Sequence, residues 1–136
     1  MKLTNIEVLN ASGALARLME MDLPIRASLD IAIISNIVDV QTKAYGVVLQ
    51  NLYKKYSVKA EPQEKGGVQF TCIAEGENEG ATAKLRQENM EAFAEKLNEL
   101  LEAKTEDLSF KKIKLPENIT IKPKIMKALT EFVEIG

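Results

Sequence analysis

The chain has 136 residues, with 18 basic residues against 20 acidic, a 46% hydrophobic share, one Cys and no His. Without His there is no Ser-His-Asp triad, no Cys-His pair and no imidazole proton shuttle, and a structural zinc site lacks its four N or S ligands. A single Cys forbids an intrachain disulfide, so a stapled secreted scaffold is excluded. The length fits a single domain, 1–136, and the apolar share fits a globular chain rather than a disordered one.

Thr4 followed by Glu7 matches a capping box and predicts a first helix over 5–21. Leu9, Leu15, Leu18 and Met19 recur along it at helical spacing. Gly13 is costly in mid-helix; it marks either a close approach by another element or a kink. Pro24 is suited to the first position of a second helix, which the periodicity carries to Tyr56. Leu29, Ile33, Ile37, Val40, Ala44, Val47 or Val48, and Leu52 step by three and four, a helical stripe. At 1.5 Å per residue this helix spans about 50 Å, against a radius of gyration of roughly 14 Å for a compact chain of this length. Either it breaks near Gly46, or it protrudes and meets another chain. Ile31, Ile34 and Val38 widen the apolar surface beyond one stripe, and a helix apolar on more than one side needs more than one partner. Homo-oligomerisation, as a dimer or tetramer, is the expectation. Coverage of both sides within one chain is the alternative.

Residues 57–74 change period. Val58 and Ala60 alternate with polar neighbours up to Pro62, Gly66-Gly67 marks a turn, and Val68, Phe70 and Cys72 alternate again, which predicts a hairpin. A third helix is predicted over 82–103, with Met90, Phe93, Leu97, Leu100 and Leu101 as its buried stripe. Leu108 and Phe110 suggest a strand continued through Ile113 to Leu115. Pro116-Glu117-Asn118 reads as a turn, and Ile119 and Ile121 as a short strand. Pro123 opens a last helix carrying Ile125, Met126, Leu129 and Phe132. The fold class is α+β: an N-terminal helical hairpin with one long helix, a small antiparallel sheet and two further helices. The longest apolar run, near 31–34, is far short of a membrane span. Glu7 and Asn10 interrupt any signal sequence behind Lys2, so a cytoplasmic protein is expected.

The loop Glu75-x-Glu77-x-Glu79 lacks the Asp/Asn pattern and the twelfth-position Glu of an EF-hand, where Arg86 stands. It reads as a solvated acidic loop, and no metal or cofactor is expected. Cys72 reads as a buried small side chain. Charge is uneven: residues 75–107 hold ten acids and four bases, whereas residues 108–136 hold six lysines and three acids. Those lysines, Lys111, Lys112, Lys114, Lys122, Lys124 and Lys127, read first as guards of edge strands; attraction of a phosphate-bearing ligand is the alternative. With a net charge of −2, a general nucleic-acid binder is not expected. Along the long helix stand Arg26, Asn36, Lys43 and Tyr45, with Arg17 on the first helix. Arg offers a planar fork for phosphate, Asn can read a base edge and Tyr can stack on a base. Solvation of a helical surface accounts for the same residues.

Several segments resemble a group of small phage and prophage proteins of Firmicutes: Met1-Lys2-Leu3-Thr4-Asn5, Leu23-Pro24-Ile25-Arg26 opening a helix that carries Asn36, and Leu52-Tyr53-Lys54-Lys55-Tyr56. So do Lys112-Ile113-Lys114-Leu115-Pro116, Ile119-x-Ile121-x-Pro123 and Ala128-Leu129. The chain departs from that group at Ile31-Ala32-Ile33-Ile34, where the group carries charges, which shifts the face towards packing. The resemblance implies a non-enzymatic binding protein. One class of such phage proteins sequesters the cyclic oligonucleotide or cyclic ADP-ribose signals of bacterial immunity. In that case Arg26 and Lys43 would hold phosphate, Asn36 would bond the base and Tyr45 would stack on it, best where chains meet. A phage assembly factor or an inhibitor of a host protein, docking through the apolar long helix, is the other expectation.

Overall fold

A computed structural model describes residues 2–116 and 119–135. The elements are α1 (Asn5–Met19), α2 (Ile25–Tyr56), β1 (Val58–Pro62), β2 (Val68–Cys72), α3 (Glu79–Glu102), β3 (Ile113–Leu115), α4 (Pro123–Ala128) and β4 (Val133–Ile135). The architecture is α+β, with the long helix following the N-terminal one. The chain divides into two compact units, one of residues 1–44 with 102–136, the other of residues 45–101.

In the first unit, the Thr4 hydroxyl accepts from the Glu7 N–H while the Glu7 carboxylate accepts from the Thr4 N–H, closing the expected capping box. The segment after α3 is tied to the N-terminus. The Asn5 N–H donates to the Ala103 carbonyl (3.1 Å) and the Thr105 N–H to that of Leu3 (2.7 Å). The Thr105 hydroxyl accepts from the Leu3 N–H at 3.2 Å. The core joins Val8, Leu15 and Leu18 of α1 to Ala27, Ile31, Ile34 and Val38 of α2, with Ile113, Leu115, Leu129 and Phe132. Phe132 stacks on Phe110 at 5.1 Å.

The second unit contains the end of α2, the β1–β2 hairpin and α3. The hairpin is antiparallel, pairing Val58 with Cys72 and Pro62 with Val68. Its turn relies on Gly66 (φ 92) and Gly67 (φ 81), conformations that residues with a Cβ resist. Cys72 is buried, its Sγ 3.5 Å from the Tyr56 carbonyl. Tyr53, Phe70 and Phe93 form an aromatic cluster, with Phe70 edge-on to Phe93 at 5.1 Å. At the start of α3 the Gly76 N–H donates to the Thr82 hydroxyl (2.9 Å). A Cβ on Gly76 would lie 2.7 Å from backbone atoms of Ala81 and Thr82. Gly76→Ala is therefore expected to destabilise this unit by about 1–3 kcal/mol, read as a lowered urea midpoint with unchanged slope.

Of the two alternatives for α2, a break near Gly46 or a continuous helix, the helix is continuous. Several expectations are corrected. Of the expected α3 stripe only Phe93 is buried; Met90, Leu97, Leu100 and Leu101 are half-buried. Leu108 and Phe110, and likewise Ile119 and Ile121, lie outside strands. The final helix stops at Ala128, and Val133–Ile135 instead pair in parallel with β3. The small sheet is thus an antiparallel pair and a separate parallel pair. Of the apolar positions on α2, Leu29, Ile33 and Val40 are exposed, while Ile31, Ile34 and Val38, largely on the opposite side, are in the core. The turn at Glu117 and Asn118 lies outside the described residues.

Candidate functional site

The helices α1 and α4 pack together. The exposed side of α1 and the segment 120–132 enclose an open groove of about 1160 Å³. Its apolar lining includes Leu9, Met21, Ile121 and Ile125. Gly13 is part of its wall, and no atom lies within 4 Å of where its Cβ would be, so the missing side chain widens the groove. Around it stand four cations, Arg17, Lys122, Lys124 and Lys127, and two carboxylates, Glu7 and Glu131. Glu7 is committed to the capping box, where it accepts from both the Thr4 N–H and hydroxyl. Among the described residues none of the four cations is held in an ion pair. The groove thus combines an apolar lining with a predominantly cationic rim of exposed side chains, a distribution that raises the local concentration of anions.

Arg26, Asn36 and Lys43 lie on one exposed side of α2. By helical geometry Arg26 stands about 15 Å from Asn36 along the axis and about 26 Å from Lys43. Arg26 contacts Asp30 at 3.2 Å, so one arm of its fork serves a buried carboxylate. Tyr45 follows Lys43 by two residues and so lies about 200° around the helix. It is half-buried. Burial, and then the neighbouring Tyr53 phenol, raise its pKa above the ordinary value. The structure thus groups Arg26, Asn36 and Lys43 on one face but separates them in height, and does not bring Tyr45 to that face. None of the four lines the groove.

Of the C-terminal lysines, Lys122, Lys124 and Lys127 reach the groove, whereas Lys111, Lys112 and Lys114 are outside its lining. The sequence signals were the lysine run and Arg17. Their meeting was hidden because about a hundred residues separate them. In the acidic loop, Glu75 is paired with Arg86 at 3.0 Å. Among the described residues no group of three or more Cys, Asp or Glu is placed to hold a metal ion, and no helix is long and apolar enough to cross a membrane. No family model matches the chain, and no curated protein or solved structure matches it significantly.

Proposed function

We propose that the chain is a non-enzymatic, phage-encoded binding protein that acts in the cytoplasm of the host bacterial cell, as a homo-oligomer. It would sequester a nucleotide immune signal, of the cyclic oligonucleotide or cyclic ADP-ribose type. The observation that carries this reading is the α1–α4 groove, with four cations around an apolar lining and none of them in an ion pair among the described residues. In it Arg17, Lys124 and Lys127 take the phosphates, and the apolar wall of Leu9, Ile121 and Ile125 takes the base. Neutral Tyr45 and the spaced Arg26, Asn36 and Lys43 form the competing site on α2.

Titration with cyclic dinucleotides, cyclic trinucleotides and cyclic ADP-ribose isomers tests both sites. A ligand at a hundred times its Kd stabilises the folded protein by about 2.7 kcal/mol, which a thermal shift reads directly. Lys124→Glu with Lys127→Glu is expected to weaken binding by about tenfold or more, whereas Lys43→Glu leaves it unchanged; about 1.4 kcal/mol corresponds to a factor of ten. The reverse pattern would move the site to α2. A flat response across the panel would remove the sequestration reading, and recovery of altered ligand after heating would make the protein an enzyme. The exposed apolar row on α2 favours a second reading, a phage assembly factor or host-protein inhibitor without a small ligand. A flat panel would leave that reading standing.

A further inference from the structure

Gly13 stands in the middle of α1, which runs unbroken from Asn5 to Met19. After Pro, Gly is the costliest residue inside a helix, because its backbone is the freest when unfolded. A close approach by a neighbouring element explains such a residue where a Cβ would collide. Gly76 is that case, with backbone of Ala81 and Thr82 at 2.7 Å from its Cβ position. Gly13 is not: beyond its own helix turn, no atom lies within 4 Å of where its Cβ would stand. The open space beside it is the α1–α4 groove, whose lining lies wholly within the unit formed by residues 1–44 and 102–136. Leu9, Gly13 and Arg17 line that groove at successive four-residue steps. An apolar side chain, a bare stretch of backbone and a cation thus follow one another along α1, about 6 Å apart on the axis.

We propose that Gly13 is the point at which the ligand of the groove lies directly against the backbone of α1, and that its missing side chain sets which ligands fit. The inference rests on the reading of the groove as a nucleotide site, and it assigns the order of the ligand along the helix. The base lies over Gly13 and is bounded by Leu9; the phosphate lies towards Arg17. A bare helix surface lets a planar ring come to van der Waals distance of main-chain atoms, and a Cβ at position 13 holds the ring off. Arg17 presents its fork to the phosphate, two donors to two oxygens. Ile121 and Ile125 line the same groove and add apolar surface for the base. Helix stability is given up at position 13 and ligand contact is gained there. One substitution therefore moves the two quantities in opposite directions, which a merely structural glycine does not do.

The probes are adenosine and guanosine monophosphate, each a single base carrying one phosphate, titrated to millimolar concentration into isotope-labelled protein and followed by NMR. The Gly13 and Arg17 amides of the wild type are expected to shift. Without nucleotide, Gly13→Ala is expected to raise the thermal midpoint by a few degrees, through the better helix propensity of Ala. With nucleotide it is expected to weaken binding by about threefold or more, and Gly13→Leu by about tenfold or more. Both side chains enter open space, and unchanged circular dichroism shows that α1 is intact; Gly13→Ala carries the test alone where Gly13→Leu folds poorly. Variants that bind like the wild type overturn the inference, and loss of binding in Lys124→Glu with Lys127→Glu then leaves the reading of the groove standing. Absence of shifts at every groove amide of the wild type, with either nucleotide, overturns both. A lowered midpoint for Gly13→Ala would show that position 13 is packed, and a changed sedimentation mass with unchanged binding would give the gap to a second copy; each overturns the inference.

Discussion

Ile31→Ala is expected to lower the stability of the unit formed by residues 1–44 and 102–136 by about 2–5 kcal/mol, the range for truncating a large core aliphatic. Ile33→Ala, two positions along the same helix, is expected to cost no more than about 1 kcal/mol. Ile31 is fully buried in the core with Leu15, Leu18 and Ile113, whereas Ile33 is 48% exposed. Full burial of an aliphatic side chain contributes about 1.5–3 kcal/mol, so a side chain already half in water has about half of that to lose. The better helix propensity of Ala offsets part of the remainder. Urea unfolding at a concentration where the protein is monomeric measures the difference, with the midpoint falling for Ile31→Ala and the slope unchanged. Equal losses would mean that both faces of α2 are buried in the single chain.

Phe93→Ala is expected to cost about 3–5 kcal/mol in the unit formed by residues 45–101. Phe93 is 1% exposed, and the buried residues of that unit are otherwise the smaller Val58 and Cys72. Its ring touches both other members of the cluster, Tyr53 at 5.7 Å and Phe70 at 5.1 Å, and such ring pairs add about 0.5–1.5 kcal/mol beyond area burial. A unit with so few buried side chains has little to compensate. Hydrogen exchange is the direct measurement: amides of the β1–β2 hairpin and α3 should lose protection while those of α1 keep it. Uniform loss across the whole chain would show that the two units unfold as one.

The elements written by local chemistry were legible in the sequence. Thr4 and Glu7 are three residues apart and cap the same helix turn, so α1 begins where the pattern says. Gly66-Gly67 places the hairpin turn because positive φ is needed there. The errors fall where pairing is distant. Strand β4 is three residues long and pairs in parallel with β3, whose residues lie twenty positions earlier. Its neighbours Leu129 and Phe132 keep a helical spacing, so the segment read as a helix. The groove was half legible: the lysine run and Arg17 were visible as charges, but only the packing of α4 on α1 puts Lys124 and Lys127 beside Arg17.

The amino-acid sequence alone determined that the chain is α+β, that α2 is long, that it is apolar on more than one side, and that no histidine or disulfide chemistry is available. Periodicity is a property of a helix by itself, so these features need no knowledge of neighbours. Tertiary structure decided which of the two faces is dry. Leu29, Ile33 and Val40 are as apolar as Ile31, Ile34 and Val38, and no local preference distinguishes them. α1, β3 and the segment 129–133 pack on the second set, and a side chain is stabilised by the water its neighbours exclude. The first set remains open along α2, and the same packing sets the groove beside α1.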